Sequence, residues 1–151
     1  MKDLELQKTI EELFAYSSQY PERIISQIGI SLADCSRAEQ FVDFVFENDR
    51  ELWLNQYGGV CGGIISTVFD ICMGFGATAM CMGFVSTSDL SVSYLKPMMG
   101  ARYRVHIEYT QVGSRMIRCI GKAIDTGQDL LCATAQGSFV ITQGKAPGSR
   151  V

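Results

Sequence analysis

The chain has 151 residues, 47% of them apolar, and a formal net charge of -3. That length suits one domain built on one core, and the acidic balance leaves no surplus of Lys and Arg to displace counterions from a phosphate backbone, which argues against nucleic acid as a partner. Six cysteines without a CxxC pair and a single histidine argue against a metal site, and nothing else in the composition calls for a cofactor.

Leu6, Ile10, Leu13 and Phe14 recur at helical spacing and predict an amphipathic helix over 3–17, part of an N-terminal extension (about 1–27) to a single domain covering 1–151. Pro21 ends that helix or opens a short second turn. The opening Met1-Lys2-Asp3-Leu4-Glu5 is too charged for a secretory segment, and most of the cysteines lie in apolar stretches, as reduced thiols do in a core; both features lead to the expectation of a cytoplasmic protein. Residues 28–36 and 39–47 read as paired strands, with Val42, Phe44 and Phe46 alternating against Phe41, Asp43 and Val45.

Between Leu52 and Ser88 the only charged side chain is Asp70. This stretch opens on Gly58-Gly59-Val60-Cys61-Gly62-Gly63, continues as an apolar helix to about Met82 that should be buried, and reaches Gly83, read as its C-terminal glycine. Four strands are predicted after it, over 86–95, 102–110, 115–125 and 130–141. The inward faces are Leu90, Val92, Tyr94; Tyr103, Val105, Ile107, Tyr109; Ile117, Cys119, Gly121, Ala123; and Leu131, Ala133, Ala135, Gly137, Phe139, Ile141. Small residues side by side on the last two strands allow a helix to approach closely. The order fits an α+β fold in which a curved, mainly antiparallel sheet wraps one long central helix, with an extra N-terminal helix.

The charge-poor segment is long enough to span a bilayer, but an Asp at mid-span costs about 2.5–3.5 kcal/mol and no Lys/Arg flank marks a cytoplasmic side. A dinucleotide fingerprint fits no better, since Gly59, Gly62 and Gly63 do not make GxGxxG. A buried helix remains, and its glycine-rich start is either a tight packing loop or a set of free N–H groups aimed at a ligand oxygen. Asp70 is then either a carboxylate satisfied by hydroxyls, amides or a distant Arg, or a general base or nucleophile.

Asn55, five residues, Cys61-Gly62-Gly63, six residues, then Asp70 resembles the Asn-x5-His-Gly-Gly-x6-Asp signature of hot-dog-fold acyl-CoA thioesterases of the PaaI-like type. Thr87-Ser88-Asp89-Leu90-Ser91-Val92-Ser93-Tyr94-Leu95-Lys96-Pro97 is similar to that family's strand pattern Thr-x2-Leu-x-Val-x-Tyr-Leu-x-Pro. The resemblance implies a hot-dog fold and hydrolysis of acyl-CoA to free acid and CoA. In that scheme Asp70 activates water or attacks directly, the Gly62 N–H polarises the thioester carbonyl, Asn55 holds the carbonyl or the water, and Thr87 positions the water. Cys61 departs from the family's His. It is either a small residue filling that place at the helix start, beside Gly63, or a reactive thiol at a helix N-terminus. It also motivates the rival reading, a non-catalytic acyl-CoA-binding or regulatory domain.

Gly62 and Asp70 lie eight residues apart on one helix, about 12 Å along its axis, so a single carbonyl cannot touch both. The family shares its sites across a dimer, which implies a homodimer or a dimer of dimers here. Lys96, Arg102, Arg104 and Arg115 are the expected partners of the CoA phosphates. His106, among charged residues on the polar face of its strand, reads as a solvated histidine, and without it no Ser-His-Asp triad can be built.

Overall fold

The structure, a computed structural model, describes residues 3–142; residues 1–2 and 143–151 of the expected domain lie outside them. Helix α1 (Leu4–Ser17) and the short α2 (Ile24–Gln27) precede the hairpin β1 (Gly29–Ser36) and β2 (Phe41–Glu47). After a single 3₁₀ turn comes the long helix α3 (Gly62–Cys81), then β3 (Phe84–Tyr94), β4 (Arg102–Val112), β5 (Met116–Asp125) and β6 (Leu130–Thr142). The six strands form one antiparallel sheet in the order β1-β2-β4-β5-β6-β3. The strand that follows α3 therefore returns to the far end of the sheet, and its outer edge has no neighbour among the described residues.

Alternation sets which face of the sheet meets α3. Val42, Phe44 and Phe46 on β2, and Tyr103, Val105, Ile107 and Tyr109 on β4, are buried as their period of two requires. Against them lie Phe69, Cys72, Met73 and Ala77 of α3, all fully buried, and burying a Phe or Met side chain is worth roughly 1.5–3 kcal/mol. The helix sits close because β5 and β6 offer glycines beneath it. A Cβ on Gly121 would stand 2.9 Å from Phe69 Cε1, and one on Gly137 2.8 Å from Met73 Sδ. Gly76 faces the ring of Tyr109, whose hydroxyl donates to Met73 O at 3.0 Å, and any Cβ there would collide with that hydroxyl. Although α3 is long and apolar enough to cross a membrane, its central span is half buried within this sheet.

Helix α1 covers one end of α3, where Phe14 meets Phe75 edge-on at 4.8 Å and Phe44 at 6.3 Å. The β1–β2 turn ties both helices down. Asp3 caps α1 by accepting from Leu6 N at 3.0 Å and also accepts from Arg37 N at 3.0 Å. The Arg37 guanidinium donates to the last carbonyls of α3, Ala79 O at 2.9 Å and Met80 O at 2.8 Å.

Three details differ from the expectations. The residue that ends α3 in the left-handed region is Met82 (φ 55°), not Gly83, because the chain turns one residue earlier. Leu131 is 37% exposed, since the β5–β6 register shifts at Ala123/Ile124 and turns it away from the core while Cys132 becomes buried. His106 is not solvated: its Nδ1 lies 2.5 Å from Asp43 Oδ1 on the neighbouring strand and its Nε2 3.1 Å from Glu108 Oε1.

Candidate active site

The loop 55–61 is shaped by Asn55. Its side-chain oxygen accepts from Tyr57 N at 2.9 Å and Gly59 N at 3.2 Å, and Gly58 supplies the positive φ of 86° that the turn needs. With that oxygen occupied, the Asn55 Nδ2 donors have no acceptor among the described residues. The loop delivers the chain into α3 through Cys61, whose N–H bonds Trp53 O at 2.8 Å and whose side chain makes no capping bond. The N–H groups of Gly62 and Gly63 therefore find no acceptor among the described residues, at the positive end of a twenty-residue helix.

Asn55 and Gly62, but not Gly63, line a cavity of about 620 Å³. Asn55, Gly62, Ile65, Tyr94 and Met98 contribute to its lining, and Lys96 is the one charged residue among those that line it. On its wall the Tyr94 hydroxyl donates to Gly62 O at 2.9 Å and stands 2.6 Å from Ser66 Oγ, while the ring lies 3.4 Å from where a Gly62 Cβ would be.

Asp70 occupies a separate position two turns along α3. Thr87 Oγ1, from β3, donates to Asp70 Oδ1 at 2.6 Å. The carboxylate is half-buried, and beside it Thr67, Ile71 and Gly74 are likewise only partly covered by this chain. Among the described residues Asp70 thus has one hydroxyl and no cation.

The chain therefore brings the sequence-derived residues together in two groups, Asn55 with Gly62 and Gly63, and Asp70 with Thr87. Lys96 belongs with the first. Arg102 and Arg104 do not reach it: they are outward-facing on β4, 3.2 Å from Glu47 and 3.9 Å from Asp43 respectively. Arg115 is exposed in the β4–β5 turn. Cys61 is exposed but does not line the cavity. Burial pushes up the Cys119 thiol to about 12, and that of Cys72 is likewise well above its ordinary value, so both are inert thiols of the core. No group of three or more His, Cys, Asp or Glu among the described residues is placed to hold a metal. Tyr94 falls within the strand pattern that carries the family resemblance but drew no site role from it, and Ser66 reads as one of several hydroxyls on a helix.

The family model described as the thioesterase superfamily matches residues 57–132. No curated protein matches the chain. Among solved structures, a thioesterase family protein from Silicibacter pomeroyi superposes with a TM-score of 0.79 at 21% identity, covering 92% of this chain and 99% of its own. The E. coli PaaI protein of the phenylacetic acid degradation operon gives 0.75 at 14% identity, over 94% and 99%. A Streptococcus mutans protein bound to acetyl CoA gives 0.68 at 19% identity, over 78% and 91%.

Proposed function

This chain belongs to the thioesterase superfamily and has the hot-dog fold of the PaaI-like proteins, and from that premise we propose that it hydrolyses acyl-CoA thioesters in a site shared by two copies of the chain. The observation that carries the reading is the donor set at the start of α3. The Gly62 N–H and Asn55 Nδ2 are unsatisfied, border one cavity, and are fixed before any substrate arrives. Donors of this kind stabilise the oxyanion that develops when a thioester carbonyl is attacked, and removing one such donor typically costs about 10²–10³ in rate.

In this reading Asp70 supplies the other half of the chemistry. With Thr87 holding one carboxylate oxygen and orienting the water, the second oxygen takes a proton as that water attacks the carbonyl carbon. The tetrahedral oxyanion rests on Gly62 and Asn55, the C–S bond breaks, and the proton held by Asp70 passes to the departing thiolate. Direct attack by the carboxylate would use the same groups. Because Gly62 and Asp70 are about 12 Å apart along one helix, the Asp70 that serves a given Gly62 comes from a partner. The unpaired edge of β3 and the partly covered strip of α3 around Asp70 are where a second copy would seat. Lys96, at the cavity, is the cation best placed for an anionic group of CoA, a structure-sharing acetyl CoA-bound protein lending support to that class of ligand.

Cys61 favours a second reading, an acyl-CoA-binding domain without turnover, since the family's His is missing at the helix start. One assay separates them: release of free CoA thiol from a panel running from acetyl to long-chain and aromatic acyl-CoAs. Turnover of any member supports the hydrolase. Binding without release across the panel selects the second reading.

A further inference from the structure

Tyr94 and Ser66 lie outside the scheme above, yet their hydroxyls stand 2.6 Å apart at the cavity wall. A tyrosine hydroxyl has one proton. Since Gly62 O can only accept, Tyr94 donates to it at 2.9 Å, and the 2.6 Å contact with Ser66 must then run from the serine hydroxyl to the tyrosine oxygen. The result is a directed chain from Ser66 through Tyr94 to the carbonyl of the peptide that joins Gly62 to Gly63. The N–H at the other end of that same peptide is the unsatisfied Gly63 donor.

A hydrogen bond received at a carbonyl polarises its peptide and strengthens the N–H as a donor. The tyrosine bond adds to the helix's own: Cys61 O accepts from Ile64 N at 2.9 Å and Ile65 N at 3.1 Å, and Gly62 O, on the first residue of α3, takes a helical i+4 N–H besides the Tyr94 hydroxyl. We infer that Tyr94, backed by Ser66, is a positioning residue that fixes the first peptide of α3 through Gly62 O, and with it the donors that Gly62 and Asn55 present to the thioester oxygen. The Tyr94 ring also packs 3.4 Å from where a Gly62 Cβ would stand, so the same residue fixes both the carbonyl and the space beside it. The inference rests on the hydrolase reading and gives Tyr94 and Ser66 a role in it.

Tyr94→Phe keeps the ring against Gly62 and deletes the donor. For an acyl-CoA that the wild type hydrolyses, kcat should fall about threefold to tenfold, the worth of one net hydrogen bond, with KM nearly unchanged. Ser66→Ala should cost less and add nothing on top of Tyr94→Phe, because it acts through the tyrosine. The decisive comparison uses the same acyl-CoA and its α-fluoro counterpart. Fluorine stabilises the oxyanion by itself, so the penalty of Tyr94→Phe should shrink for the fluorinated substrate, whereas a loss of folded protein would scale both rates by the same factor. Equal penalties, or wild-type activity in Tyr94→Phe, overturn the inference while leaving the hydrolase reading intact. A wild-type protein that releases CoA from no acyl-CoA overturns both.

Discussion

At the scale of single residues, Asp70 is distinguished by what surrounds it among the described residues: one hydroxyl from Thr87 and no cation, on a helix face that they only partly cover. If it takes the proton of water or attacks the carbonyl, Asp70→Asn should lower kcat by about 10² or more with folding retained, since general-base catalysis is worth roughly 10²–10⁴. Steady-state CoA release together with a thermal unfolding curve checks both halves of that statement. Gly76 makes the opposite demand on the helix. Gly76→Ala would drive a methyl into the Tyr109 hydroxyl in a region without free volume, and should destabilise the fold by about 1–3 kcal/mol, measured by denaturant unfolding. Asp70 and Gly62 stood out in the sequence because each breaks a local pattern, a lone charge in an apolar run and a glycine cluster ahead of a helix, whereas Asn55 came only through the family resemblance. Tyr94 and Ser66 break none, and their meeting depends on the end of β3 lying over the first turn of α3.

At the scale of elements, the strand faces were legible because a period of two leaves little choice once one side is apolar, and α3 was legible because it carries no charge but Asp70. The register shift that exposes Leu131 follows from pairing between two strands, which neither strand's own pattern records. The end of α3 was misplaced by one residue for a related reason. Gly83 suits a left-handed turn, but the chain uses Met82, which is 64% exposed and anchored by no packing. Met82→Gly should therefore stabilise the protein by up to about 1 kcal/mol, read as a higher midpoint of unfolding. Near that same end of α3, hydrogen bonds from Leu6 N and then from Arg37 N hold the Asp3 carboxyl below its ordinary value of 3.8. A carboxyl lowered in the folded state contributes stability above its unfolded value, and that contribution is lost as the pH falls through the folded one. Asp3→Asn keeps a capping side chain but removes this titration. Its stability relative to wild type should be lowest near neutral pH and should recover below about pH 4; a difference that stays constant across that range would contradict the linkage.

At the scale of the whole molecule, the proposed reading divides the site between the two ends of a stretch of α3, with the donors at its start and the carboxylate two turns on. The core face of the helix is packed closely over Gly121 and Gly137, so in this reading one chain does not bring the two together. A two-fold pairing of chains would set the start of one helix against Asp70 of the other and complete two sites together. Mixing inactive chains tests this account most directly. Asp70→Asn chains lack the carboxylate, and Gly62→Val chains carry bulk against Tyr94 where the carbonyl oxygen would bind. In a mixed dimer one site combines the intact Gly62 of the first with the intact Asp70 of the second, while the other site carries both defects. After refolding the two variants together, CoA release should return to at most about half the wild-type rate per mixed dimer. Mixed dimers that form and stay as inactive as either parent would contradict the shared site.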